Sequence, residues 1–109
     1  MLIEFDKLKK NIIPNFKDGE GDFCIREHND LLTKFAIGKL EPGASIGVHS
    51  HPDSCEIIYV LSGTGQATHN GVTELLRPGV CHYCPKGHSH SLLNDSDDTL
   101  TFFLVVPKQ

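Results

Sequence analysis

Glycine and proline break this chain at short, regular intervals, and that cadence limits the folds open to it more than any other feature. The breaks fall at Gly19-Glu20-Gly21, Glu41-Pro42-Gly43, Gly63-Thr64-Gly65, Asn70-Gly71, Arg77-Pro78-Gly79 and Pro85-Lys86-Gly87. Between them lie runs of about four to nine residues rich in β-branched and aromatic side chains. Such runs suit strands and are too short for ordinary helices. The pattern predicts an all-β sandwich or barrel with strands over 23–28, 32–40, 46–49, 55–61, 65–69, 73–76, 80–84, 90–93 and 100–106. Asn70-Gly71 predicts a two-residue hairpin, because both central residues of that turn need positive φ.

One stretch departs from the cadence. Phe5, Leu8 and Ile12 fall near helical spacing, Asp6 is placed to cap, and Pro14 would end the element. Residues 6–11 are therefore expected to form a short N-terminal helix or irregular cap.

At 109 residues and 39% apolar, the chain fits one domain, 1–109, able to bury a core without disulfides. No apolar run reaches the roughly 18–20 residues of a membrane helix. The first ten residues are interrupted by Glu4, Asp6 and Lys7, unlike a signal peptide. A cytoplasmic location and no membrane partner are the expectations. The formal net charge is −4 and the only arginines are Arg26 and Arg77, so no nucleic-acid footprint is expected. Lys7, Lys9 and Lys10 read as a solvated face.

Cysteines occur at 24, 55, 81 and 84. A redox C-x-x-C needs a helix N-terminus to lower the thiolate pKa. Cys81 and Cys84 instead sit in a β-prone run ending at Pro85. Residues three apart on a strand point to opposite faces, so the pair is read as small buried apolar residues.

Two expected strands are apolar on both faces. Ile57, Tyr59 and Leu61 oppose Ile58 and Val60, and Phe102, Leu104 and Val106 oppose Phe103 and Val105. A sheet with one wet face would alternate. The second cover is expected from another copy of the chain, making a homodimer.

Seven histidines are present, six of them between 49 and 90. Any one alone is more often structural than a ligand. His49 and His51, two apart, would share one face of a strand and give a metal two nitrogens. The Pro52-Asp53-Ser54 turn could return Glu56 beside them on an antiparallel neighbour. His90, opening a later strand, could add a third nitrogen. Imidazoles with one carboxylate suit Mn, Fe, Ni or Zn.

From Gly43 to Gly63 the sequence reads GASIGVHSHPDSCEIIYVLSG, and from Gly79 to Asn94 it reads GVCHYCPKGHSHSLLN. These segments resemble the two signature motifs of the cupin superfamily, G(X)5HXH(X)4E(X)6G and G(X)5PXG(X)2H(X)3N, with every defining position filled. The 15 residues between them match small single-domain bacterial cupins. The resemblance implies a double-stranded β-helix, or jelly-roll, barrel. It implies a divalent transition metal held by His49, His51, Glu56 and His90. It also makes Gly63, Gly79 and Gly87 turn glycines. Asn94 reads as a hydrogen-bonding strand-end residue.

Other polar candidates are less constrained. His82, in the second-motif strand, reads as a core histidine, a pocket group or part of a dimer surface. His88 is placed at the site's mouth or in solvent, as a proton-transfer candidate. Arg26 is the one arginine on an early strand and would suit an anionic ligand. His69 is expected to be exposed, and His28 to sit at a strand end without an evident partner. Phe35, Ile37, Tyr59, Tyr83 and Phe103 could wall an apolar pocket. The leading functional expectation is a metal-dependent enzyme acting on a small molecule, dioxygenase-like first, with isomerase or decarboxylase chemistry next. The alternative is a small-molecule-binding or sensing cupin without turnover.

Overall fold

A computed structural model describes residues 1–108 of the chain. The strands in chain order are β1 (Asn11–Pro14), β2 (Asp22–Asn29), β3 (Thr33–Leu40), β4 (Ser45–Ser50), β5 (Glu56–Ser62), β6 (Gly65–His69), β7 (Val72–Leu76), β8 (Cys81–Cys84), β9 (Ser89–Leu93) and β10 (Leu100–Pro107). Each of the nine expected strands forms, with ends moved by at most one residue. The Asn70-Gly71 hairpin joins β6 to β7 as expected, with φ of 46° and 82° at its two central residues.

Of the two readings for 6–11, a short helix or an irregular cap, the regular helix does not form. Phe5–Lys7 makes a single 3-10 turn, and Asn11–Pro14 becomes β1, paired antiparallel with β2. Ile12 and Ile13 are β-branched, and the β2 edge offers a ladder, so pairing wins over weak helical spacing. Pro14 is tolerated because β1 is an edge strand.

Two antiparallel sheets face each other, one in the order β1-β2-β3-β10-β5-β8 and one in the order β4-β9-β6-β7. Between them pack Phe23, Ile25, Leu40, Ile46, Ile58, Val60, Leu92, Leu100, Phe102 and Leu104, all buried. Burying each large side chain contributes roughly 1.5–3 kcal/mol. The double-faced strands resolve unevenly. Ile58, Val60, Phe102 and Leu104 face the core, while Tyr59 and Leu61 stay exposed. Phe103 is covered within the chain, because Phe5 packs edge-on against it and against Phe35.

Arg26 has a fastening role. Its Nη1 donates to the carbonyls of Phe5, Asp6 and Leu8, holding the N-terminal segment over the six-stranded sheet. Asn94 is the expected strand-end residue. It is fully buried, donates to the carbonyls of Leu40 and Asp98, and accepts from Ser96. The cysteines are free, with Cys84 buried as expected but Cys81 exposed, because alternation on β8 turns it outward. Burial pushes the Cys84 thiol up to about 11. Among the described residues no helix is long and apolar enough to cross a membrane.

Candidate metal centre

The four residues singled out in the sequence converge. His49 lies on β4, His51 just beyond its end, Glu56 opens β5, and His90 lies on β9. One donor atom from each falls within 4.8 Å of all the others. The route differs from the expected one. β4 pairs with β9, so His49 and His90 are direct cross-strand partners, and Glu56 approaches from the facing sheet. The loops are tied together where Gly87 N–H donates to the His51 carbonyl at 2.8 Å.

The inner distances are informative. His90 Nε2 lies 3.1 Å from His49 Nε2, 3.2 Å from His51 Nε2 and 3.0 Å from Glu56 Oε1. His51 Nε2 lies 2.9 Å from the same Glu56 oxygen. Two donors at adjacent octahedral positions, each about 2.1 Å from an ion, stand about 3.0 Å apart. The His49 Nδ1 lies 2.7 Å from the Gly47 carbonyl. A carbonyl only accepts, so Nδ1 carries the proton and Nε2 turns a lone pair inward. The His49 lone pair, the Glu56 carboxylate and the ring nitrogens of His51 and His90 thus stand at a spacing that a proton on a ring or a single cation among them would bridge. The donor set therefore fits a divalent transition ion.

Burial sets the local charges. It lowers the pKa of His49 below the ordinary imidazole value, favouring the neutral form that ligates. Burial would raise Glu56, but hydrogen bonding with His51 and His90 outweighs it and holds the carboxyl at about 2.

Beside these residues opens a cavity of about 200 Å³, reaching His49, His51 and Glu56. Its walls include Phe16, Phe23, Ile58, Leu92 and Leu104, with Lys17 and Lys34 as its cations. Lys17 sits in a left-handed conformation, φ 56°, and its carbonyl presses against Gly47, where a Cβ would come within 1.8 Å of it. Only glycine permits that approach.

The other candidates fall elsewhere. Arg26 does not line this cavity, because its guanidinium is spent on the N-terminal carbonyls. Phe35, Ile37, Tyr59, Tyr83 and Phe103 do not line it either, since strand alternation turns them to the outer face. His28 has a partner after all: it stacks on Phe35 and contacts Asp30 at 2.9 Å. His90, only 1% exposed, is buried in the packed layers.

His82 proves to be the buried neighbour of the centre. Its Nε2 lies 3.0 Å from His90 Nδ1, and its Nδ1 lies 2.6 Å from Glu74 Oε1. Burial lowers its pKa, although Glu74 works the other way. His69 is half-buried, contrary to expectation, between Glu74 at 3.3 Å and His88 at 2.8 Å. His88 is thereby held on the His69 ring and does not line the cavity. Glu74, Lys17 and Lys34 were not legible as site residues from spacing. A signal for Glu74 did exist: the Asn70-Gly71 turn pairs it with buried Ala67, which puts it on the inner face beside His69.

A two-sheet β-barrel with three imidazoles and one carboxylate converging between its sheets, a group that could hold a metal, is the architecture of a cupin. The sequence pattern of the cupin domain matches residues 36–106, and the chain belongs to that family. An oxalate-binding protein of Thermotoga maritima is 31% identical, over 97% of this chain and 93% of its own. The crystal structure of a predicted oxalate decarboxylase from Thermotoga maritima superposes with a TM-score of 0.94 and 28% identity, covering all of both chains. The polyketide cyclase RemF of Streptomyces resistomycificus, at 23% identity and TM-score 0.80 over 100% of this chain and 80% of its own, shares the fold.

Proposed function

We propose that His49, His51, Glu56 and His90 hold a divalent transition metal and that the adjoining cavity admits a small carboxylate anion. The observation that carries this reading is the crowding of three imidazole nitrogens and a carboxylate oxygen at 2.9–3.2 Å around His90 and His51. Four protein donors leave up to two positions on an octahedral ion. When bound, the ion supplies Lewis acidity to whatever occupies them. Apolar side chains form much of the cavity wall, and Lys17 and Lys34 supply positive charge at the same cavity. A volume near 200 Å³ lies below the roughly 300 Å³ of sites for drug-sized ligands, so a ligand of a few heavy atoms is indicated. The relative that binds oxalate supports a short dicarboxylate. Turnover as a decarboxylase is favoured over the dioxygenase-like chemistry expected from the sequence, since the cavity is small for an extended enol substrate.

The test is calorimetry of protein purified without chelator or nickel resin, stripped, then loaded with Mn, Fe, Ni or Zn. Oxalate is expected to bind the loaded protein and to bind the stripped protein at least tenfold more weakly. Equal binding to both overturns the proposal. Release of carbon dioxide and formate separates turnover from binding alone.

The homodimer is proposed on the outer face. Tyr59, Leu61 and Tyr83 expose 44%, 45% and 54% of their surface on the paired strands β5 and β8. A second copy covering them would bury more than about 1,000 Å². Light scattering at micromolar concentration should read twice the 12.0 kDa of the chain. A 12.0 kDa species alone overturns it.

A further inference from the structure

We propose that Glu74 and His82 are positioning residues that fix the tautomer of neutral His90, so that its Nε2 lone pair, rather than an N–H, faces the metal centre. The proposal rests on the metal reading above for its purpose, though not for its geometry.

Glu74 Oε1 lies 2.6 Å from His82 Nδ1 and can only accept a proton there. A contact that short without a proton would set two lone pairs against each other. His82 Nδ1 therefore carries the hydrogen. In a neutral ring its Nε2 is then bare and must accept. The one group it meets is His90 Nδ1 at 3.0 Å, so that nitrogen donates. His90 Nε2 is consequently left bare, 3.1 Å from His49 Nε2 and 3.0 Å from Glu56. With both rings neutral, no other assignment satisfies both contacts.

The arrangement has features of a built device. His82 is 2% exposed, and both its ring nitrogens are engaged. The His82 and His90 rings stack nearly parallel, 20° apart, with centroids 5.2 Å apart. The chain of contacts crosses the barrel: His90 on the four-stranded sheet, His82 on the six-stranded sheet, then Glu74 back on the four-stranded sheet. The second Glu74 oxygen faces His69 Nδ1 at 3.3 Å, and His69 Nε2 faces His88 Nδ1 at 2.8 Å. The same logic gives that arm one polarity, with every proton directed toward Glu74. The carboxylate thus anchors both arms. His49 obtains the same result more simply, from the Gly47 carbonyl. Partners of this kind orient ligating rings, and their removal costs about 10- to 100-fold in metal affinity.

The test uses the full chain, stripped of metal and labelled with ¹⁵N-histidine, at pH 8. Two-bond nitrogen–proton correlations read each tautomer directly. His90 is expected as the Nδ1–H form in the wild type and as a mixture in Glu74→Ala, which should also bind Mn or Zn about tenfold more weakly. His82→Phe should lose 10- to 100-fold. His82→Gln, which keeps a donor on one side and an acceptor on the other, should recover to within a few-fold of wild type. An Nε2–H form of His90 in the wild type overturns the proposal. So do Glu74→Ala and His82→Phe proteins that bind metal within twofold of wild type. If the wild type takes up no ion, the metal reading falls, while the His90 tautomer and its response to Glu74→Ala still decide the relay.

Discussion

His90→Ala is expected to abolish most of the thermal stabilisation that metal confers. At metal about 1,000 times the wild-type Kd, binding stabilises the folded state by about 4 kcal/mol. Losing a direct ligand should cost more than the roughly 100-fold seen for outer-shell partners, which leaves about 1.4 kcal/mol or less. For a domain of this size the metal-induced rise in Tm should shrink by at least about 10 °C. The comparison must be made with and without metal. His90 is fully buried, and its loss also strips His82 of an acceptor's partner, so the metal-free variant will melt lower as well. Imidazoles must be neutral to ligate, so the wild-type increment should also fall from pH 7.5 to 5.5. A variant with the wild-type increment at pH 7.5 would show that His90 is no ligand.

Without metal, the protein should lose stability in acid, and Glu56 should contribute to the loss below pH 4.5 alongside Asp30 and Glu74, whose carboxyls hydrogen bonding with histidines also holds below the ordinary value. The Glu56 carboxyl is held at about 2 in the folded chain against 4.5 unfolded. Hydrogen bonding with His51 and His90 favours the carboxylate there. A depressed carboxylate contributes stability above its unfolded value and loses it as pH falls through the folded one. The contribution is at most about 3 to 4 kcal/mol, at about 1.4 kcal/mol per pKa unit. His49 and His82 act in a higher window. Burial lowers both below 6.5, so the folded state resists protons that the unfolded chain accepts, and stability begins to decline there. Denaturant titrations of stripped protein from pH 3 to 8 would check this, with Glu56→Gln expected to flatten the lower limb. A Glu56→Gln profile parallel to wild type below pH 5 would refute the assignment.

Strand positions were readable because turn residues are punctuation with a local mechanism. Asn70-Gly71 demands positive φ whatever surrounds it, and its hairpin appears with the expected register. The four converging residues were readable because the H-x-H spacing is itself a statement about one strand face. The N-terminal segment was not, because its choice between helix and strand is made by the β2 edge and by Arg26, both distant in sequence. Glu74 escaped for a related reason. An acid in a short strand looks solvated until its pairing partner shows which face it occupies. Lys17 and Lys34 reach the cavity from loop and strand positions that carry no motif, so only tertiary placement reveals them.

The place of β10 bears on how the protein comes into being during synthesis. This strand is the most C-terminal of the ten, yet it fills the middle of the six-stranded sheet between β3 and β5. Until it has left the ribosome, β5 and β8 have no ladder joining them to β1, β2 and β3. Contacts between β10 and β3 span 60 to 74 residues of chain, from Leu100 against Leu40 to Pro107 against Thr33, and such closures are slow. Glu56 is carried by β5, so the fourth donor is steadied only after that last strand docks. Metal uptake by nascent chains should therefore report completion of the barrel, and a premature ion would meet, at most, the imidazoles of β4 and β9.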